Sequence, residues 1–306
     1  MKLNFKSLPE LLTYYQDEEL CKKLLAQQRW NGKPICPHCK YDKKIYVTNR
    51  GYKCGNPECH KKFTVLVGSV FEHLRIPLSK AYAALYLATA HKKGISSLQL
   101  SRDLGITQKN AWHLMHRIRE ILKDKNSTLL SGTVEGDESF FGGKNKNRHS
   151  NKKVKESQGR SHKDKTPVFG LLQRDGKLKV QVVADTKAKT LKPIIKDLVE
   201  KGAIIVTDEW GAYNGLSKDF THEVVKHNSG EYVKGNFHTN SIEGFWSLFK
   251  RGIFGIYHYA SPKHLHRYTD EFSYRFNTRH ISDQDRFSNS LKNVEGKLTY
   301  KQLIKN

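Results

Sequence analysis

The chain has 306 residues, 54 of them Lys or Arg against 30 Asp or Glu, for a formal net charge of +24, and 37% are hydrophobic, including 14 Phe, 14 Tyr and 4 Trp. That apolar content supports one sizeable core with smaller modules, or two domains, and the charge is expected to attract a polyanion, most simply a nucleic acid. No run of eighteen apolar residues occurs, and "MKLNFKSLPELLTYY" lacks the pattern of a signal peptide, so the expectation is a cytoplasmic, nucleoid-associated protein with no membrane partner.

Residues 1–30 read as a helical segment, with Cys21 inside the apolar pattern of "LLTYYQDEELCKKLLAQQRW" as a core residue. The other four cysteines fall in "CPHCK" and "CGNPEC", with fourteen residues between the two pairs. Close pairs on two turns bring four thiolates to the corners of a tetrahedron, and the alternation of "YDKKIYVTNRGYK" suits the hairpin that delivers the second pair. Residues 31–70 are therefore expected to form a zinc ribbon in which Cys36, Cys39, Cys54 and Cys59 hold one structural zinc. Four thiolates leave no position for water, so this ion stabilises and does not catalyse. Lys43, Lys44, Arg50, Lys53, Lys61 and Lys62 give the ribbon a basic surface, suited to DNA or simply to solvent.

Residues 77–125 read as helical. "PLSKAYAALYLATAHKKG" begins at Pro77 and stops at Gly94. In the following segment Ser97 is placed to cap a short helix through Leu104, Gly105 permits a tight turn, and Thr107 caps a second helix to about Leu122. Ile95, Leu98, Leu104 and Ile106 would pack on Ala111, Leu114, Met115 and Ile118. This is a helix-turn-helix layout, whose second helix would offer Gln108, Lys109, Asn110, His113 and Arg117 to a DNA groove; a helix pair bracing the next domain fits the apolar positions equally well.

From 131 to 306 strand and helix alternate. "GTVEGDESFFGG" predicts a strand with Glu135 and Asp137 on one face. A basic excursion at about 142–165 has nine Lys or Arg against two acids from Lys144 to Lys165 and almost nothing to bury, which predicts a mobile loop. "PVFGLLQRDGKLKVQVVAD" predicts two strands around Asp175-Gly176, "AKTLKPIIKDLVEKG" a helix, and "AIIVTDEW" an apolar strand running into Asp208. "THEVVKH" is a further strand and "HTNSIEGFWSLFKRG" a helix. The fold class expected from this order is α/β, a mixed sheet with flanking helices behind a small zinc ribbon and a helix-turn-helix.

Two carboxylates in one cleft repel each other unless cations neutralise them, and hard divalent ions such as Mg or Mn favour oxygen ligands. Asp137, Asp208 and an acid on the later helix supply such a set, with Glu135, Glu138 and Glu209 nearby in sequence. In that helix Asn240 and Glu243 have the spacing of a capping box, so Glu243 has a structural role open to it as well. Glu243, Ser247 and Lys250 share one helical side, apart from the apolar stripe of Ile242, Phe245, Phe249 and Ile253. Tyr257, His258, Lys263, His264, His266 and Arg267 follow and suit a DNA path, while Leu265, Tyr268, Phe272 and Phe276 suit a closing core helix.

"VEGDESFFGGK", "VTDEWGAY" and "HTNSIEGFWSLFKRGIFGIYHYASPKHLHRYTDEFSYRFNTR", together with the ribbon, resemble the insertion-sequence transposases that join an N-terminal zinc ribbon to a DDE transposase domain of ribonuclease-H-like fold. The resemblance implies Asp137 and Asp208 as the first two metal-binding catalytic residues. It implies Glu243 as the third, with thirty-four residues separating it from Asp208, and Lys250 as a helper cation, with Arg251 beside it on DNA. Some relatives carry asparagine at the third position, which Asn240 would supply. The implied activity is cleavage at mobile-element ends and joining to target DNA with two Mg or Mn ions, by a homodimer or larger assembly on double-stranded DNA. A nuclease of the same fold without strand transfer, and a non-catalytic DNA-binding regulator, are the other readings.

Overall fold

The computed structural model describes residues 5–125, 128–143, 145, 149–155, 164–226, 233 and 235–305. In chain order the elements are α1 (Leu8–Tyr14), α2 (Glu18–Trp30), β1 (Ile45–Thr48), β2 (Gly51–Cys54), β3 (Lys62–Phe63), α3 (Leu78–Ala90), α4 (Ser97–Leu104), α5 (Gln108–Leu122) and β4 (Thr133–Phe141). They continue with β5 (Thr166–Gln173), β6 (Leu178–Val182), α6 (Ala188–Leu198), β7 (Ile204–Asp208), β8 (Thr221–Val225), α7 (Asn240–Gly255), α8 (Pro262–Asn277), α9 (Asp283–Leu291) and α10 (Tyr300–Ile304). Two compact units result, one of Met1–Lys123 with Thr278–Asn306 and one of Asp124–Asn277.

In the first unit β1, β2 and β3 form an antiparallel sheet. Trp30, at the end of α2, stands edge-on to Tyr52 and Phe63 at 5.2 and 6.1 Å, so aromatic contact fastens the ribbon to the helix before it. The helix-turn-helix expectation is met in its boundaries. Gly105 takes the left-handed conformation that ends α4, and the Thr107 side chain accepts from the Asn110 amide to start α5. Two details differ. Ser96, not Ser97, caps α4 by accepting from the Gln99 amide, and Leu98, placed in the core by its spacing, is exposed.

The domain boundary expected at 131–306 also needs correction, because residues 278–306 fold with the N-terminal unit. The cause is apolar burial: Phe287 of α9 is fully buried, 5.6 Å from the rings of both Phe5 and Tyr82 and 6.2 Å from that of Tyr15. Val294 continues the contact, its carbonyl accepting from the Val70 amide at 2.9 Å.

The second unit is a five-stranded sheet in the order β6-β5-β4-β7-β8. β4, β5 and β6 are antiparallel neighbours, whereas β7 runs parallel to β4 and β8 parallel to β7. Three antiparallel strands followed by two parallel ones, with helices on both faces, make the ribonuclease-H-like sheet. Strand alternation assigns the faces. Val134, Phe169, Leu171 and Ile205 pack with α6 on one side, and Phe141, Val168 and Leu172 pack with α7 and α8 on the other. Leu265, Tyr268 and Phe272 of α8 are buried in that second core. Much of the basic stretch 142–165 lies outside the described residues, so its expected mobility does too. Among the described residues no helix is long and apolar enough to cross a membrane.

Candidate active site and metal centre

The four-cysteine site is assembled as its spacing predicts. The ligand atoms of Cys36, Cys39, Cys54 and Cys59 all lie within 4.8 Å of one another, with Cys36–Cys59 at 3.9 Å and Cys39–Cys54 at 3.6 Å. A tetrahedron with Zn–S bonds of about 2.3 Å has edges of roughly 3.8 Å, so the donor set fits zinc. Asn56 supports it from behind, its amide 3.5 Å from the Cys54 sulfur and its side-chain nitrogen 3.8 Å from that of Cys39. A backbone amide at Tyr41 draws the Cys39 thiol down to about 7, a poise that favours the ligating thiolate. Cys21 is a core residue as expected, its thiol pushed up to about 12 by burial.

The carboxylate site is built on the α7 face of the sheet. Thr133, Val134 and Glu135 pair with Ile204, Ile205 and Val206 in parallel register. The same register continued two residues brings Asp137 level with Asp208, and alternation turns both toward α7. Asp137 is half-buried and Asp208 is 8% exposed, the latter held by the Trp210 amide at 3.0 Å. Both charges reach the wholly buried Tyr213, whose hydroxyl donates to Glu138. Burial first, then Glu138, Asp137 and Asp208, push that phenol well above its ordinary value.

α7 is fixed over this pair by two devices. On β5, Gly170 pairs with Asp137, and a Cβ there would stand 2.8 Å from the Trp246 ring and 3.1 Å from Ile242, so the glycine lets the helix approach the sheet. The second device is Glu135, 0% exposed on the same face of β4 as Asp137. Its Oε2 accepts from the amides of Ser241 and Ile242 at 3.1 and 3.0 Å. Its Oε1 lies 3.3 Å from Arg174 and 3.4 Å from His238, and Arg174 also donates to the Asn236 carbonyl at 2.6 Å. A strand carboxylate thus satisfies first-turn amides of α7 and complements its dipole.

This replaces the capping box anticipated from sequence. The N-cap is Thr239, whose hydroxyl donates to Glu243 at 2.9 Å, and Asn240 is the first, exposed residue of the helix. Glu243, Ser247, Lys250 and Arg251 are exposed, as their shared helical side requires, while Ile242, Phe245, Phe249 and Ile253 are buried. Among the described residues, the cysteines are the one group of three or more His, Cys, Asp or Glu whose ligand atoms are close enough to share an ion. Asp137 and Asp208 stand level on the sheet, and Glu243 on α7 is not gathered with them into a three-ligand group.

On α5 the expected DNA-facing residues separate. Asn110 is exposed, Gln108 donates to the Ser97 hydroxyl at 2.8 Å, and Lys109 stands 4.8 Å over the Tyr300 ring. His113 and Arg117 turn inward. Arg117 is 6% exposed and donates to the Glu72 carbonyl at 2.9 Å, so it does not reach a groove. Glu135, Arg174, Thr239 and Tyr213 were not singled out for these roles by sequence reasoning. The first of three acids on β4, two residues before Asp137, was the one signal of them.

Comparison with known proteins agrees with this construction. Residues 129–277 match the ISXO2-like transposase domain, and residues 16–62 the transposase zinc-ribbon domain. A protein in the transposable element ISH50 of Halobacterium salinarum is 30% identical over 252 residues, covering 78% of this chain and 84% of the relative. A transposase-like protein of Haemophilus influenzae is 30% identical over 104 residues, covering 34% of this chain and 83% of its own. The crystal structure of a pre-cleavage Mos1 transpososome is a distant likeness, 13% identical with a TM-score of 0.27 over 71% of this chain and 80% of that one. With a ribbon that fits zinc, a ribonuclease-H-like sheet and a relative matched over most of both lengths, the chain belongs to the ISXO2-like transposases.

Proposed function

We propose that the protein cleaves DNA at the ends of a mobile element and joins those ends to target DNA by phosphoryl transfer at Asp137, Asp208 and a third ligand on α7. The observation that carries this reading is the level placement of Asp137 and Asp208 on adjacent parallel strands, on the face that α7 covers. Oxygen donors on a rigid sheet fit a hard divalent ion, and two such ions, Mg or Mn, supply Lewis acidity and neutralise the carboxylates when bound. Glu243 is the third ligand in this reading, since it brings negative charge, and Asn240 is its neighbour for the same role.

Water attacks a phosphodiester at the element end and the P–O3′ bond breaks, leaving a 3′ hydroxyl. That hydroxyl attacks a phosphodiester of the target, so one P–O bond forms as another breaks and no external energy source is needed. Lys250 and Arg251, exposed on α7, contact DNA phosphates. The ribbon and α4–α5 bind the element ends, and joining two ends calls for a homodimer or larger assembly on the cell's own DNA, in the cytoplasm at the nucleoid.

The test is purified zinc-loaded protein with terminal-repeat DNA and Mg. Joined products support the reading; cleavage without joining indicates a nuclease, and binding without either a regulator. Asp137→Asn and Asp208→Asn are expected to lower cleavage by at least about a hundredfold with DNA binding unchanged. Wild-type cleavage in either would overturn the site. Comparing Glu243→Gln with Asn240→Ala, with helix content as control, identifies the third ligand.

A further inference from the structure

The first unit contains a cavity of about 600 Å³ against the N-terminal half of α5, walled by residues 72–76 and by residues 297–301 of the returning C-terminal segment. Its floor is apolar, with Leu114 and Leu298 buried. Its charge is unbalanced. Glu72 is the one acid on its walls and Lys297 already meets it at 3.0 Å. Although burial opposes it, the Lys297 ammonium and the Gly68 amide hold the Glu72 carboxyl below its ordinary value, and His73 also lies 3.3 Å from it.

Arg75, Lys109 and Lys301 remain, all exposed and with no acidic partner among the described residues. Lys109 is ordered by the Tyr300 ring beneath it, and α10 behind Tyr300 is fixed by a Thr299–Gln302 capping box. Deeper in, the buried Arg117 uses Nη1 on the Glu72 carbonyl and Nε on His113. Three exposed cations at the rim and an aromatic wall together suit a phosphate carried on a sugar.

We infer that this cleft seats the sugar–phosphate backbone of double-stranded DNA beside α5, and that Arg75 and Lys301 complete an end-binding surface no single segment of the chain could form. The inference rests on the reading of α5 as a DNA-binding helix and adds to it two contacts from outside the helix-turn-helix. Lys301, nearly two hundred positions beyond Lys109, enters because α9 and α10 fold onto the N-terminal unit. Arg117 anchors the cleft floor and does not read bases.

The experiment is the salt dependence of binding to labelled terminal-repeat duplex by the full-length, zinc-loaded protein. Each phosphate contact removed flattens the slope of log K against log salt by about 0.9. Arg75→Ala/Lys301→Ala is therefore expected to flatten it by about 1.8, so that the affinity lost between about 50 and about 200 mM salt becomes roughly tenfold smaller. Lys292→Ala, an exposed lysine bonded to Asn289 on α9, is expected to leave the slope unchanged. Zinc content and circular dichroism confirm that each variant is folded. If Lys109→Ala flattens the slope and the double variant does not, this inference is overturned and the role of α5 stands. If the wild-type protein fails to bind the duplex at all, both are overturned.

Discussion

Glu135 shows how one side chain ties chemistry to architecture. Its carboxylate is wholly buried, bonded to two amides of α7 and ion-paired with Arg174. Glu135→Ala would strand the guanidinium and the two amides together, and a loss of about 3 kcal/mol is expected in chemical denaturation. Glu135→Gln keeps one acceptor oxygen and is expected to lose about 1–2 kcal/mol, with a larger fall in cleavage than in DNA binding. Equal falls in both would show that the residue only holds the fold. This role was illegible in sequence because the bonds to α7 span more than a hundred positions, and a glutamate two residues before Asp137 reads locally as another ligand. Asp208 was legible for the opposite reason, since an apolar strand ending in an acid is a local pattern.

Two half-buried imidazoles make stability depend on pH. Burial lowers the His222 pKa, and its Nε2 meets the Thr207 hydroxyl at 2.9 Å, next to Asp208. Burial, and then Arg117, lower that of His113. A group depressed in the native state stabilises it fully above its unfolded value of about 6.5, and that stabilisation drains away as pH falls through the native value. Thermal midpoints are expected to drop on acidification below about 6.5. His222→Gln, which retains a partner for Thr207 and does not titrate, is expected to drop less; an unchanged profile would remove His222 as a cause.

At the scale of elements, α7 is set by contact with β5. Gly170→Val would force the Trp246 ring off the sheet, since even a Cβ comes within 2.8 Å of it. The expected cost is about 1–3 kcal/mol, with cleavage impaired while the other unit retains DNA binding. Wild-type cleavage by this variant would show that the helix position does not govern the site. The zinc ribbon makes a separate prediction: one zinc per chain, and loss of DNA binding on chelation because so short a sheet buries little. Element boundaries were read well where a residue has a strong local preference, as with Gly105, Thr107 and the cysteine pairs. They were read less well where choice depends on neighbours in space, as with Ser96 over Ser97 or Thr239 over Asn240.

For the whole molecule, the main departure from the sequence reading is the path of the chain. The sheet, the ribbon and the helix-turn-helix were each foreseen, but not the return of residues 278–306 to the first unit, which no local periodicity encodes. Deleting those residues removes Phe287 from between Phe5, Tyr15 and Tyr82 and leaves that cluster open to water. The deletion is expected to leave 124–277 protease-resistant and make 1–123 labile. Equal resistance of both would show that the return segment is dispensable.

That chain path has a consequence during synthesis. A ribosome makes the N-terminal part first, yet its core lacks Phe287 until the sheet unit has been fully translated. The cavity beside α5, walled in part by residues 297–301, is therefore completed only on chains that already carry the aspartates. A transcript cut short by a nonsense codon before position 278 yields a product that lacks Phe287 and cannot close this core.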